Sequence, residues 1–275
     1  GRLTPSEALD SSTLASAIRD IDRSYLAVQG PPGTGKTHTG AHAIAELVRE
    51  GWRVGVTAQS HAVIDNFLNG IVKAGVDPAQ LAHVSGGGEH LYEAVPSGMI
   101  SAWAGNQPAG YVIGATAWSF ANERQIARQQ LDLLVIDEAG QFSLANTIAV
   151  SLSAQRVLLL GDPQQQPQVS QGTHPQPIDE SALGWIAGGA SVLPAELGYF
   201  LPLTRRMDAA LTRHVSQLSY ANALHAHEST HGRQLEGWDS GLHTLPVEHS
   251  GNAVASTEEA SADVDLVQRL VGAQW

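Results

Sequence analysis

Residues 29–38 read QGPPGTGKTH and satisfy the phosphate-loop pattern G-x-x-x-x-G-K-[ST] at every fixed position, from Gly30 to Thr37. No other stretch constrains the fold as tightly. The loop works only between a buried strand and a helix N-terminus, because backbone N–H groups and the helix dipole together hold the phosphates. Residues 25–28 (YLAV) supply the strand, helical periodicity runs through 41–50, and residues 52–58 (WRVGVTA) read as the next strand. Strand, loop, helix and strand open a βαβ unit, so an α/β fold on a parallel sheet is expected.

Within the loop, Gly30, Gly33 and Gly35 let the backbone close around phosphate oxygens without side-chain clash. Lys36 neutralises charge between the β- and γ-phosphates, and the Thr37 hydroxyl is a ligand for Mg²⁺. Pro31, Pro32, Thr34 and His38 complete the expected nucleotide contacts.

Phosphate loops serve many chemistries, and later strand ends discriminate among them. Residues 133–136 (LLVI) deliver Asp137 and Glu138 to a strand tip facing the loop. Asp137 suits Mg²⁺ through water, whereas Glu138 can orient and deprotonate an attacking water. That pairing points to a hydrolase. Residues 157–160 (VLLL) lead into Gly161-Asp162-Pro163-Gln164-Gln165-Gln166-Pro167, where a glutamine can bond the γ-phosphate or the lytic water. Residues 111–115 (YVIGA) are a further buried strand, with loops expected at 85–88 and 105–110.

Bulk properties narrow the partners. The 275 residues hold a large α/β domain and part of a second, and 43% of them are hydrophobic. The net charge of −12 argues against coating nucleic acid by bulk attraction, though not against a dipole-lined groove. No apolar run of membrane-spanning length occurs, and the absence of cysteine rules out disulfides and thiolate metal sites. A cytoplasmic setting without a membrane partner is the expectation.

Taken together, GPPGTGKT, VTAQSHAVIDN, DEAGQ, GDPQQQP and LPLTRRM resemble, in order and approximate spacing, the motifs of superfamily 1 helicases. The DEAGQ form and the short gap between the second and third motifs are similar to subfamily B, which moves 5′→3′ on a single strand. YLAVQGPPGTGKT, VTAQSHAVIDN, LPAELGYFL and RRM together resemble bacterial proteins that join a RecB-like nuclease to a helicase half. The resemblance spans residues 25–224.

It implies a RecA-like P-loop NTPase domain with a parallel sheet sandwiched between helices, using ATP and Mg²⁺. Thr57, Ser60, His61 and Thr116 become contacts to a nucleic-acid backbone, with single-stranded DNA favoured over RNA. Gln165 becomes the γ-phosphate sensor and Arg206 the arginine that stabilises the transferring phosphoryl group, beside the catalytic Lys36 and Glu138. Arg205 stands where the family often has an aromatic against adenine, and Asp208 where relatives often carry His. Trp118 could stack a base, but four residues beyond a buried strand it is expected in the core.

The expected division is a helical lead-in over 1–24 (helix at 12–22), a RecA-like motor domain over 25–233, and the start of a second α/β domain over 234–275. Beyond Arg206 a helix over 208–221 is followed by irregular chain at 234–241, a strand at 242–248 (LHTLPVE) and an acidic helix over 257–271. The resemblance implies that a second RecA-like domain of a longer chain, and a fused nuclease domain, are partners. A protein- or nucleoprotein-remodelling ATPase and a nucleotide-gated binding module also fit the motifs. His225, His227 and His231 read as a solvated loop rather than a metal site, and Glu258-Glu259 as an exposed helix start.

Overall fold

The computed structural model describes residues 9–84, 90–165, 172, 174–175, 177–178, 180–233 and 235–273. The loop expected at residues 85–88, together with Gln166, Pro167 and Gln234, lies outside the described residues.

The chain runs α1 (Ser11–Asp20), β1 (Tyr25–Gln29), α2 (Lys36–Arg49), β2 (Arg53–Thr57), α3 (His61–Lys73), β3 (Leu81–Val84), β4 (Glu93–Val95), α4 (Ile100–Gly105), β5 (Tyr111–Gly114) and α5 (Ala117–Phe120). It continues through β6 (Leu133–Asp137), α6 (Leu144–Ser151), β7 (Val157–Gly161), α7 (Ala182–Ala187), β8 (Gly198–Phe200), β9 (Leu203–Thr204), α8 (Ala209–Ser219), β10 (His225–Ala226) and α9 (Thr257–Leu270). Eight strands form one sheet in the order β4-β3-β5-β2-β6-β7-β1-β8, every neighbouring pair parallel. β9 and β10 form a separate parallel pair.

The strands read as unbroken apolar runs because both faces of the sheet are covered. Successive side chains of β6 part company: Leu133 and Val135 join a core with α1, α2 and α3, whereas Leu134 and Ile136 join one with α4 to α7. This is the three-layer α/β/α arrangement. Where helix and sheet approach closely, only glycine fits: a Cβ on Gly114 would lie 2.7 Å from Ile64 and Leu68 of α3.

Helix ends follow local chemistry. Asp10 caps α1 by accepting from Thr13 N at 2.8 Å, and Ser60 caps α3 through Val63 N at 3.3 Å. Asp208 caps α8 through Leu211 N at 2.7 Å, which holds its carboxyl below the ordinary value. That is the structural work done by the residue that stands where relatives often carry His.

Three expectations change. The lead-in helix α1 is part of the main domain, since Leu14, Ala15 and Ile18 are buried in the core shared with α2. No strand forms at residues 242–248: Leu242 and Leu245 are exposed, Pro246 lacks an amide hydrogen, and no strand lies alongside to satisfy the backbone. α9 follows among the described residues, and none of its residues is buried. Trp118 is 86% exposed rather than in the core, because the short α5 buries Ser119 and Phe120 and turns Trp118 outward.

Candidate active site

The phosphate loop joins β1 to α2 at the C-terminal edge of the sheet. Gly33 and Gly35 hold φ +79° and +84°, conformations that side chains rarely adopt. Gly35 caps α2 without a side chain, leaving the first-turn N–H groups of the helix directed to whatever the loop encloses. Gly30 N donates to Gly161 O at 2.8 Å, which pins the loop to the end of β7. Thr34 is buried and donates to Pro31 O at 2.8 Å. His38 stacks on His42 with ring centroids 4.1 Å apart, and burial lowers its pKa, helped by His42 and Arg205.

Opposite the loop, β6 ends on Asp137, which is 1% exposed. Burial and then the neighbouring Glu138 charge push its pKa up to about 6. The Thr37 hydroxyl lies 3.4 Å from Asp137 Oδ2, and Lys36 Nζ lies 3.2 Å from Glu138 Oε1. Glu138 adopts φ +55°. Such backbone costs on the order of 1–3 kcal/mol for a residue with a side chain and persists only when neighbours enforce it. Here Ala139 N donates to Leu160 O and Gln141 N to Glu138 O, each at 2.8 Å. Gly140 also presses on Asp162, whose carbonyl oxygen would sit 2.1 Å from an added Cβ. The turn leaves the Glu138 carboxylate against Lys36, at the end of the loop.

The arginine pair arrives from the far end of the domain. Buried Thr204 donates to Pro32 O at 2.8 Å, Arg205 N donates to Gly33 O at 2.8 Å, and Arg206 N donates to Thr204 Oγ1 at 3.2 Å. Contact is so close that a Cβ on Gly33 would fall 2.2 Å from Arg206 Cβ. Both arginine side chains remain exposed, and Arg233 braces their carbonyls at 3.0 Å.

A phosphate loop, a strand-end acidic pair and a hard-oxygen donor set thus converge on one edge. A family comparison matches residues 12–182, more than half of the chain, to the AAA domain. The chain belongs to the AAA-domain family.

Curated relatives of this AAA domain include the Arabidopsis thaliana protein named DNA replication ATP-dependent helicase/nuclease JHS1. It is 27% identical over 155 residues, covering 55% of this chain and 12% of the relative. The Rattus norvegicus DNA-binding protein SMUBP-2 is 24% identical over 302 aligned residues, covering 87% of this chain and 28% of the relative. The chain therefore spans only an eighth to about a quarter of the length of these relatives. Among solved structures, an Arterivirus nonstructural protein 10 (helicase) with DNA aligns at TM-score 0.49 and 18% identity, over 77% of this chain and 43% of that one.

Sequence reasoning did not single out the group that ties these parts of the AAA domain together. Asp162, 1% exposed, accepts from Tyr220 Oη at 2.6 Å, from Gln164 N at 3.1 Å and from Gln29 Nε2 at 3.3 Å. Gln165 Nε2 reaches Asp162 Oδ2 at 3.5 Å, so the candidate sensor is turned toward this carboxylate. Gln29 is fully buried and also accepts from Leu193 N at 2.7 Å. A polar residue at the end of an apolar strand was the available signal, since burial obliges it to find partners.

The candidate strand contacts separate into two kinds. Ser60 and His61 are exposed at the start of α3, and Thr116 is half-buried at the start of α5 beside exposed Trp118. Thr57, by contrast, is 0% exposed, and its hydroxyl has no partner among the described residues. Gln59 bonds Gln141 O, joining this segment to the Asp137–Glu138 turn.

Proposed function

We propose that this chain is the ATP-hydrolysing motor domain of a superfamily 1 helicase, coupling turnover to movement along single-stranded nucleic acid, DNA before RNA. The observation that carries the reading is the contact of Arg206 with Gly33, which seats an arginine against the same loop that faces Glu138. Relatives named as DNA replication ATP-dependent helicase/nuclease support it, and support a nuclease domain as a partner in a longer chain; a second RecA-like domain is part of the same proposal.

Lys36 leaves Glu138 for the γ-phosphate when nucleotide enters, because three phosphate oxygens carry more charge than one carboxylate. Glu138, freed and held by its strained backbone, accepts a proton from the attacking water. Gln165 orients that water or the γ-phosphate, and Arg206 stabilises negative charge on the transferring group. Thr37 and Asp137 fit Mg²⁺: both offer hard oxygen atoms and stand 3.4 Å apart, so Thr37 would hold the ion directly and Asp137 through water. Mg²⁺, when bound, neutralises the β- and γ-phosphate oxygens. Arg205, beside His38, takes the position against the base.

The test is ATP turnover of the full-length protein with and without single-stranded DNA. Stimulation by the strand is expected. Turnover indifferent to the strand favours a remodelling ATPase, and tight nucleotide binding without turnover favours a binding module; either result overturns the proposal.

A further inference from the structure

A second polar cluster lies at the other end of the same sheet edge, away from the nucleotide loop. Asp65 projects from the second turn of α3, His83 from β3, and His90 and Tyr92 from the segment entering β4. His83 Nδ1 lies 2.7 Å from Asp65 Oδ1, and His90 Nε2 lies 3.6 Å from the same oxygen. All three ligand atoms fall within 4.8 Å of one another. Tyr92 Oη donates to Asp65 Oδ1 at 2.6 Å, and its ring stacks on His90 with centroids 5.0 Å apart and planes 6° apart. His83 is 0% exposed, and its Nε2 lies 2.9 Å from His61 Nδ1.

We propose that Asp65, His83 and His90 form a binding site for a divalent cation of the zinc class, with water completing the coordination. The donor set decides the class: two imidazoles and one carboxylate suit Zn²⁺ or Co²⁺, whereas Mg²⁺ and Ca²⁺ require oxygen ligands. The separations are those of groups that close on a shared ion by small side-chain rotations. Outer-shell support is already present, since Tyr92 bonds the carboxylate and His61 bonds the far nitrogen of His83, as partners of ligating residues do.

The ion would also reset His61. Without metal, the Asp65 carboxylate only accepts, so His83 Nδ1 carries hydrogen and its Nε2 accepts from His61 Nδ1–H. The outward Nε2 of neutral His61 is then an acceptor, which a phosphate oxygen repels. When Nδ1 of His83 ligates the cation, its proton leaves to water and its Nε2 takes up hydrogen and donates to His61 Nδ1. His61 in turn loses its Nδ1 hydrogen and gains one from water at Nε2. Each imidazole stays neutral with one hydrogen, and His61 now presents a donor outward. This last consequence rests on the proposed strand-contact role of His61; the site itself does not.

The experiment is titration of the full chain with Zn²⁺ and with Co²⁺, in the absence of nucleotide and nucleic acid, read by calorimetry and by visible Co²⁺ absorption. One cation per chain and a tetrahedral Co²⁺ spectrum are expected. Tyr92→Phe should weaken binding by about tenfold to a hundredfold, as loss of an outer-shell bond does, and His90→Ala by more. His42→Ala, which breaks the other stacked imidazole pair, should leave cation binding unchanged. In ¹⁵N spectra, His61 should switch from Nδ1–H to Nε2–H on adding Zn²⁺. Binding unchanged in His90→Ala, or lost in His42→Ala, overturns the site; an unswitched His61 overturns the coupling. Neither outcome bears on strand-stimulated ATP turnover, so this proposal and the motor reading fail separately.

Discussion

Lys36 Nζ and Glu138 Oε1 stand 3.2 Å apart, so the cation expected to meet the γ-phosphate is paired with the carboxylate expected to activate water. In this arrangement neither group is available for chemistry. In the proposed mechanism a triphosphate entering the loop displaces one from the other, which would tie exposure of the base to occupancy of the site.

Glu138→Gln keeps the shape of the turn and the hydrogen bond to Lys36 but removes the base. Nucleotide affinity should stay within a few-fold, and single-turnover hydrolysis should fall by about 10²- to 10⁴-fold, the usual contribution of a positioned general base. Hydrolysis within tenfold of the parent would remove Glu138 from that role.

Asp137 gives a pH-dependent stability. Its folded pKa, about 6, lies above the ordinary 3.8. Between those values the folded form holds a proton that the unfolded form has released, so stability falls as pH rises across that window and is flat above it. Asp137→Asn avoids the cost of a buried charge. At pH 7 the variant should be more stable in urea denaturation by roughly 1–3 kcal/mol, with the difference fading toward pH 4. A difference independent of pH would refute the shift.

Thr204→Val preserves volume in a buried position while deleting the donor to Pro32 O and the acceptor for Arg206 N. Leaving those groups unmatched should cost about 1–3 kcal/mol. Because Arg206 loses its tether, kcat should drop more than nucleotide affinity. Equal losses in both would mean that Thr204 serves the loop rather than the arginine.

Tyr220→Phe removes the 2.6 Å hydrogen bond to buried Asp162. Stability should fall by about 1–3 kcal/mol. Gln165 shares the same carboxylate oxygen, so turnover should fall while nucleotide binding is retained. Unchanged turnover would separate this hub from the sensor.

Much of the architecture was legible in the linear order of residues. Four-residue apolar runs at 25–28, 133–136 and 157–160 became β1, β6 and β7 because a strand covered on both faces leaves no polar alternation to blur it. The loop between β1 and α2 was legible because Gly33 and Gly35 are required by φ, a local property. Elements at or next to the sheet's edges were less so: β3, β4 and β8 span four, three and three residues and take their identity from the neighbours they pair with. Residues 242–248 show the reverse, a strand-like pattern that remained irregular because no edge was within reach.

What the sequence alone determined about this protein is the chemistry at each strand tip: which residue carries an ammonium, a carboxylate, a hydroxyl or a guanidinium. Only the tertiary structure decided which of these meet. The contact of Arg206 with Gly33, the bond from Tyr220 to Asp162, and the chain from His61 through His83 to Asp65 join residues far apart in the chain. The physical reason is that buried polar groups must find partners, and the parallel sheet brings all its strand ends to one edge, where those partners are.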